Sequence, residues 1–152
     1  MKVGIIGAGA DKFTPETEKK CKEEIEKVLS DSAKEYSIIV ISGRSPMGGV
    51  DIWAEEIAEK LGFKTMIFPA KVNQWSPVNG YGFKARNLDI AKTSDEVHVF
   101  AVAEYPAGYS GIRFTRCYHC KSTEHVKGGA CWTGKKALGF GKKVYWHVIN
   151  QG

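Results

Sequence analysis

The segment Cys117-x2-Cys120-x4-His125-x5-Cys131 gathers three thiols and one imidazole in one short window, the donor set of a tetrahedral zinc shell. The spacing is one residue longer than a zinc-knuckle pattern. Four protein ligands leave no open coordination position, so a zinc ion held here is structural rather than catalytic. His119 lies close enough in sequence to replace His125 as the ligand, and His98 and His147 are the remaining imidazoles. The plainer alternative makes Cys131 a core thiol and His125 a surface residue.

A second chemistry is written in glycines. Gly4-Ile5-Ile6-Gly7-Ala8-Gly9-Ala10 and Ser42-Gly43-Arg44 with Gly48-Gly49-Val50-Asp51 each follow an apolar run. Small residues at such places let backbone amides approach phosphate groups. The first loop is neither a dinucleotide fingerprint, since Lys12 stands at the third glycine position, nor a P-loop. Arg86-Asn87 follows another glycine-containing stretch, and its guanidinium fork suits an anion. The competing explanations are that the glycines only make tight turns and that Arg86 is solvated.

Positioning these residues requires strands and helices in alternation. Val3–Gly7 and Ser37–Ile41 read as strands, and the second is continuously apolar, as expected of a strand covered on both faces. Thr65–Phe68, Val97–Val102 and Lys143–Ile149 complete five. Between them, helices are expected from Thr14-Pro15 to about Lys34, from the second glycine loop to Leu61, from Phe83 to about Lys92, and from Trp132 to Leu138. The pattern predicts a single α/β domain over 1–152, a doubly wound, Rossmann-like three-layer sandwich with a mainly parallel five-stranded sheet. Two irregular stretches interrupt it, the loop 72–82 and a long insertion, 104–129, that contains most of the zinc-type ligands.

Composition narrows the setting. The chain has 152 residues, 43% hydrophobic and 26% charged, which excludes disordered and fibrous classes. The N-terminal apolar run breaks at Gly7 and Gly9, unlike a signal peptide or a membrane span, so a cytoplasmic location and reduced cysteines are expected. A net charge of +5 favours anionic partners, although the basic residues form no dense block.

The run Ser42-Gly43-x4-Gly48-Gly49-Val50-Asp51 with Trp53-Ala54-Glu55, then Phe68-Pro69-Ala70, then Ala85-Arg86-Asn87, resembles the SLOG superfamily, which includes the Lonely Guy enzymes and DprA-type domains. The likeness is greatest to its stand-alone YspA-like branch and extends over Met1–Lys92 and again from Gly128-Gly129 to Ile149. It implies a Rossmann-like sheet, recognition of a nucleotide or nucleotide derivative, and a homo-oligomer. The ligand-binding positions expected from the loops and from the resemblance together are Gly7, Gly9, Gly43, Arg44, Gly48, Gly49, Asp51, Arg86, Asn87, Gly128, Gly129 and Thr133. Lonely Guy hydrolases follow their glycine pair with a catalytic glutamate, and Lys127–Lys135 contains no carboxylate. A sensor or carrier is therefore expected ahead of an N-glycosidic hydrolase, which would need Asp51, Asp11 or Glu104 to meet Arg86. A third expectation makes the insertion a nucleic-acid contact, through Tyr105, Tyr109, Phe114 and Tyr118 interleaved with Arg113 and Arg116.

Overall fold

In a computed structural model, which describes residues 1–77 and 80–151, the chain builds one five-stranded parallel sheet flanked by four helices. The order along the chain is β1 (Lys2–Gly7), α1 (Pro15–Ala33), β2 (Ile39–Ser42), α2 (Val50–Leu61), β3 (Lys64–Ile67), α3 (Phe83–Thr93), β4 (Glu96–Val102), α4 (Ala130–Gly139) and β5 (Lys143–Ile149). Across the sheet the strands run β3-β2-β1-β4-β5, every neighbour parallel. The α/β doubly wound class expected from the sequence is the class observed. Element ends move by one or two residues; β2 begins at Ile39 because the first residues of that run hold the chain terminus, Ser37 accepting from the Met1 ammonium.

Adjacent residues on each strand face opposite layers, which explains why the central strands β1 and β2 read as apolar runs. Val3, Ile5, Val40 and Phe100 pack with Cys21, Ile25 and Leu29 of α1 and Ala54, Ile57 and Ala58 of α2. Ile6, Ile41, Val97 and Val99 turn the other way, onto Ile90 and Ala91 of α3 and Cys131 and Ala137 of α4. α1 starts where Thr14 and Thr17 exchange side-chain and backbone hydrogen bonds as a capping box, with Pro15 at the first position. No helix among the described residues is long and apolar enough to cross a membrane.

The second glycine loop acts on the first. The Val50 amide donates to the Ala8 carbonyl at 3.2 Å, and the Ala10 amide donates to the Met47 carbonyl at 3.2 Å. Gly49 has φ +80° and lies so close to the Ala8–Ala10 backbone that a Cβ would come within 2.6 Å of the Ala10 nitrogen as well as strike the Ala8 oxygen. Only glycine supplies both the dihedral and the clearance. Gly49→Ala is expected to lower the unfolding free energy by about 1–3 kcal/mol, seen as a lower denaturant midpoint at unchanged slope; an unchanged midpoint would mean the two loops are not interlocked.

Candidate functional site

Strand order reverses between β1 and β4: the chain steps outward from β1 to β3, then returns to the other side of β1. The loops leaving β1 and β4 therefore diverge, and open parallel sheets place ligand crevices at such points. A cavity of about 270 Å³ opens there. Gly7, Gly9, Asp51, Arg86, Asn87, Gly128, Gly129 and Thr133 all line it, so the structure brings together most of the positions expected from the sequence. Asp11 and Trp75 join them, as do Lys12, Ser45, Met47 and Phe83, which sequence reasoning did not single out. Phe83 was detectable as the residue one helical turn before Arg86; its ring lies 5.3 Å from the guanidinium carbon. Glu104 is not part of the lining.

Gly43, Arg44, Gly48 and Gly49 stand outside the lining. Gly48 and Gly49 shape the turn that supports the first loop. A Cβ on Gly43 would lie 2.5 Å from Arg86 Nη1 and 3.1 Å from Asp51 Oδ2, so this glycine makes room for the charged pair. Arg44 turns to solvent and clasps Glu55, with Nη2 at 2.8 Å and Nε at 3.1 Å from Oε1.

Asp51 and Arg86 are both buried beside the cavity. Arg86 Nη1 donates to the Gly43 carbonyl and Nε donates to Asn87 Oδ1 at 2.7 Å, which fixes the plane of the guanidinium. Asp51 Oδ2 accepts from the Ser45 amide at 3.2 Å. Burial pushes the Asp51 carboxyl up to about 6, against the opposing pull of Arg86 and of the Ser45 amide. Burial likewise lowers the Arg86 pKa, and Asp51 partly offsets this. A carboxyl of this kind exchanges its proton near neutral pH, the property of a general acid or base.

The helix ends around the cavity differ in what they offer an anion. α2 carries Asp51 in its first turn, whose charge opposes one. The first two amides of α3 donate to the carbonyls of Gln74 and Trp75. α4 has no acidic residue in its first turn, and among the described residues the amides of Gly129 and Ala130 have no hydrogen-bond partner. Thr133, almost wholly buried at 1% exposure, lines the cavity from the same helix, and its hydroxyl has no hydrogen-bond partner among the described residues.

The cysteine cluster lies beside α4. The ligand atoms of Cys117, Cys120, His125 and Cys131 all fall within 4.8 Å of one another, so the cluster can hold a metal ion. Between the two imidazoles left open by the sequence, the structure places His125 in the cluster. Its Nδ1–H donates to the Val126 carbonyl at 2.7 Å, leaving the Nε2 lone pair for a metal. His119 packs on Tyr118 instead, and His98 and His147 hydrogen-bond each other across β4 and β5. A tight turn closed by mutual backbone bonds between Cys117 and Ser122 presents the first two thiols, with Lys121 at φ +56°. Burial disfavours the Cys117 thiolate, but the amides of Gly128, Cys120 and His119 donate to its sulfur and carry its pKa downward. Burial raises those of Cys120 and Cys131. Cys21 is a core thiol on the opposite face, pushed up to about 12 by burial.

No family profile, curated protein or solved structure matches this chain.

The folded protein holds the Asp51 proton more tightly than the unfolded chain, where its pKa is 3.8. The charged form therefore costs stability above about pH 6, and that cost disappears below about pH 4. A tenfold change in proton affinity is worth about 1.4 kcal/mol, so the cost at neutral pH is about 3 kcal/mol. On acidification from pH 7 to 4, wild type should gain up to about 3 kcal/mol relative to Asp51→Asn. Parallel stability curves for the two proteins would show that Asp51 ionises in the fold without penalty.

Proposed function

We propose that the protein binds a nucleotide or nucleotide-derived phosphate ester in the cavity at the β1/β4 reversal, as a sensor or carrier, and that the cysteine cluster holds a structural zinc ion. The observation that carries this reading is the convergence of opposite chemistries on one small cavity. Arg86, Lys12 and the unengaged amides of Gly129 and Ala130 favour an anion; the rings of Trp75 and Phe83 favour a base; the Asp51 carboxyl favours a hydroxyl or amino group. At about 270 Å³ the cavity falls at the lower end of ligand sites, roughly 300–1,000 Å³. That size supports a mononucleotide or ribose phosphate over a dinucleotide. Three thiols and an imidazole within reach of one another are the donor set of structural zinc.

One observation favours a second reading, hydrolysis of an N-glycosidic bond. Asp51, titrating near neutral pH, and Asp11 line the same cavity as Arg86, which supplies the carboxylates such a reaction needs. Water would replace the base on the sugar carbon, and a carboxyl would give the departing base its proton. The nucleic-acid reading draws less support, because two of the insertion's cations, Arg113 and Lys127, are engaged locally. Arg113 Nη2 donates to the carbonyls of Pro106, Ala107 and Tyr109, and Lys127 lies over Phe114 and Tyr118.

A thermal-shift panel of nucleoside monophosphates and ribose 5-phosphate, with elemental analysis of untagged protein, tests both parts. A ligand at a hundred times its Kd adds about 2.7 kcal/mol, a rise of roughly 5–10 °C for a domain of this size. That rise should be absent in Arg86→Ala, and zinc should be present at about one per chain. Base release from the stabilising nucleotide, lost in Asp51→Asn, would establish the hydrolase; stabilisation without turnover would establish the sensor or carrier. No shift with any compound would remove the cavity reading altogether.

A further inference from the structure

The metal cluster and the anion end of the cavity share one stretch of chain. Gly128 is tied to the cluster twice: its amide donates to the Cys117 sulfur, and its carbonyl accepts from the Cys131 amide at 3.1 Å. The next two residues, Gly129 and Ala130, carry the unengaged amides, and Thr133 with its unengaged hydroxyl follows one turn later. The space beside the glycine pair is open: a Cβ on Gly129 would meet no atom within 4 Å, and one on Gly128 would meet only Cys131 Sγ, at 4.0 Å, while the Gly129 carbonyl accepts from the Trp132 amide at 3.1 Å. Two consecutive glycines have the largest backbone freedom to lose on ordering. Upstream, the Val126 amide donates to the Val102 carbonyl at 2.9 Å, so the stretch is anchored to the end of β4 whether or not a metal is bound.

We propose that the bound metal ion is the positioning device for the phosphate end of the cavity: it fixes Cys117 and Cys131, these fix Gly128, and the amides of Gly129 and Ala130 with the Thr133 hydroxyl are thereby held ready for an anion. Removing the metal frees the glycine pair and weakens anion binding while the sheet stays folded. The sheet's two apolar layers draw most of their buried side chains from outside the insertion, so its integrity does not depend on the cluster. Metal occupancy thereby regulates ligand affinity. The inference rests on reading the cavity as a phosphate-ester site.

Titration of inorganic phosphate into isotope-labelled protein, followed by amide NMR, tests it. In zinc-loaded protein, phosphate should shift the Gly129 and Ala130 amides; after chelation its affinity should fall about ten-fold, within the usual range of coupling between sites, at an unchanged far-UV spectrum. His125→Ala should reproduce the loss in protein exposed to zinc, and His125→Cys, which restores a four-ligand shell, should recover the affinity. Equal phosphate affinity with and without zinc overturns the coupling but leaves the cavity reading intact. Loss of the far-UV signal on chelation also overturns it, since the metal would then hold the whole fold. If phosphate shifts no cavity amide even in zinc-loaded protein, the phosphate-site reading fails, and this inference with it.

Discussion

The arrangement depends on the parallel pairing of β1 with β4, which runs from Val3 opposite Glu96 to Gly7 opposite Phe100. Side-by-side strands whose chains depart toward opposite halves of the sheet leave a gap above their carboxyl ends. Gly7 ends β1 at this point, with the Ala8 amide donating to the Phe100 carbonyl at 3.1 Å. A Cβ on Gly7 would collide with that same carbonyl and with Val50. The close approach of the first loop to β4 and α2 thus sets both the floor of the cavity and the position of Asp51 over it.

The connection from β4 to α4 poses the opposite problem. Its residues form no helix or strand, and each ordered residue loses about 1–2 kcal/mol of backbone entropy. Local packing meets part of this: Tyr105 stacks on Tyr109 at 4.7 Å, and Arg113 bonds three carbonyls of the same turn. A metal ion held by Cys117 and Cys131 would close the loop across its second half. Binding free energy of a structural metal becomes ordering free energy for the chain that carries its ligands.

The sequence made the framework legible because burial on both faces writes itself as uninterrupted apolar strands, as in Ile38–Ile41, and burial on one face as the helical spacing of Cys21, Ile25 and Leu29. Asp51, Arg86 and the Cys3His set were legible as unusual residue types in unusual spacing. Glycines were less informative. Gly43, Gly48 and Gly49 announce that something comes close to the backbone, but not what: an Arg86 guanidinium in the first case and the neighbouring loop in the last. Lys12, Ser45 and Met47 could not be found this way, because they reach the cavity through the tertiary contact of two loops that are more than thirty residues apart in sequence. The choice between His119 and His125 was likewise settled by where the chain turns after Cys120, at Lys121 and Ser122.

Positive-φ backbone outside glycine falls in the same places. Among the described residues, Arg44 at φ +48° and Lys121 at φ +56° are the non-glycine residues with positive φ. One stands in the loop that leads into α2 and Asp51, and the other between Cys120 and Ser122 in the cysteine turn. Such conformations cost of order 1–3 kcal/mol each and persist only where surrounding structure imposes them. The buried Asp51 carboxyl is a third departure, beside an arginine whose own hydrogen bonds go to Gly43 and Asn87. Elsewhere propensity, capping and apolar pattern agree with the fold, as at the Thr14 cap of α1 and the Gly62 stop of α2. The positive-φ residues and the buried carboxyl thus gather at one cavity loop and one cysteine turn, the places where a ligand and a metal would bind.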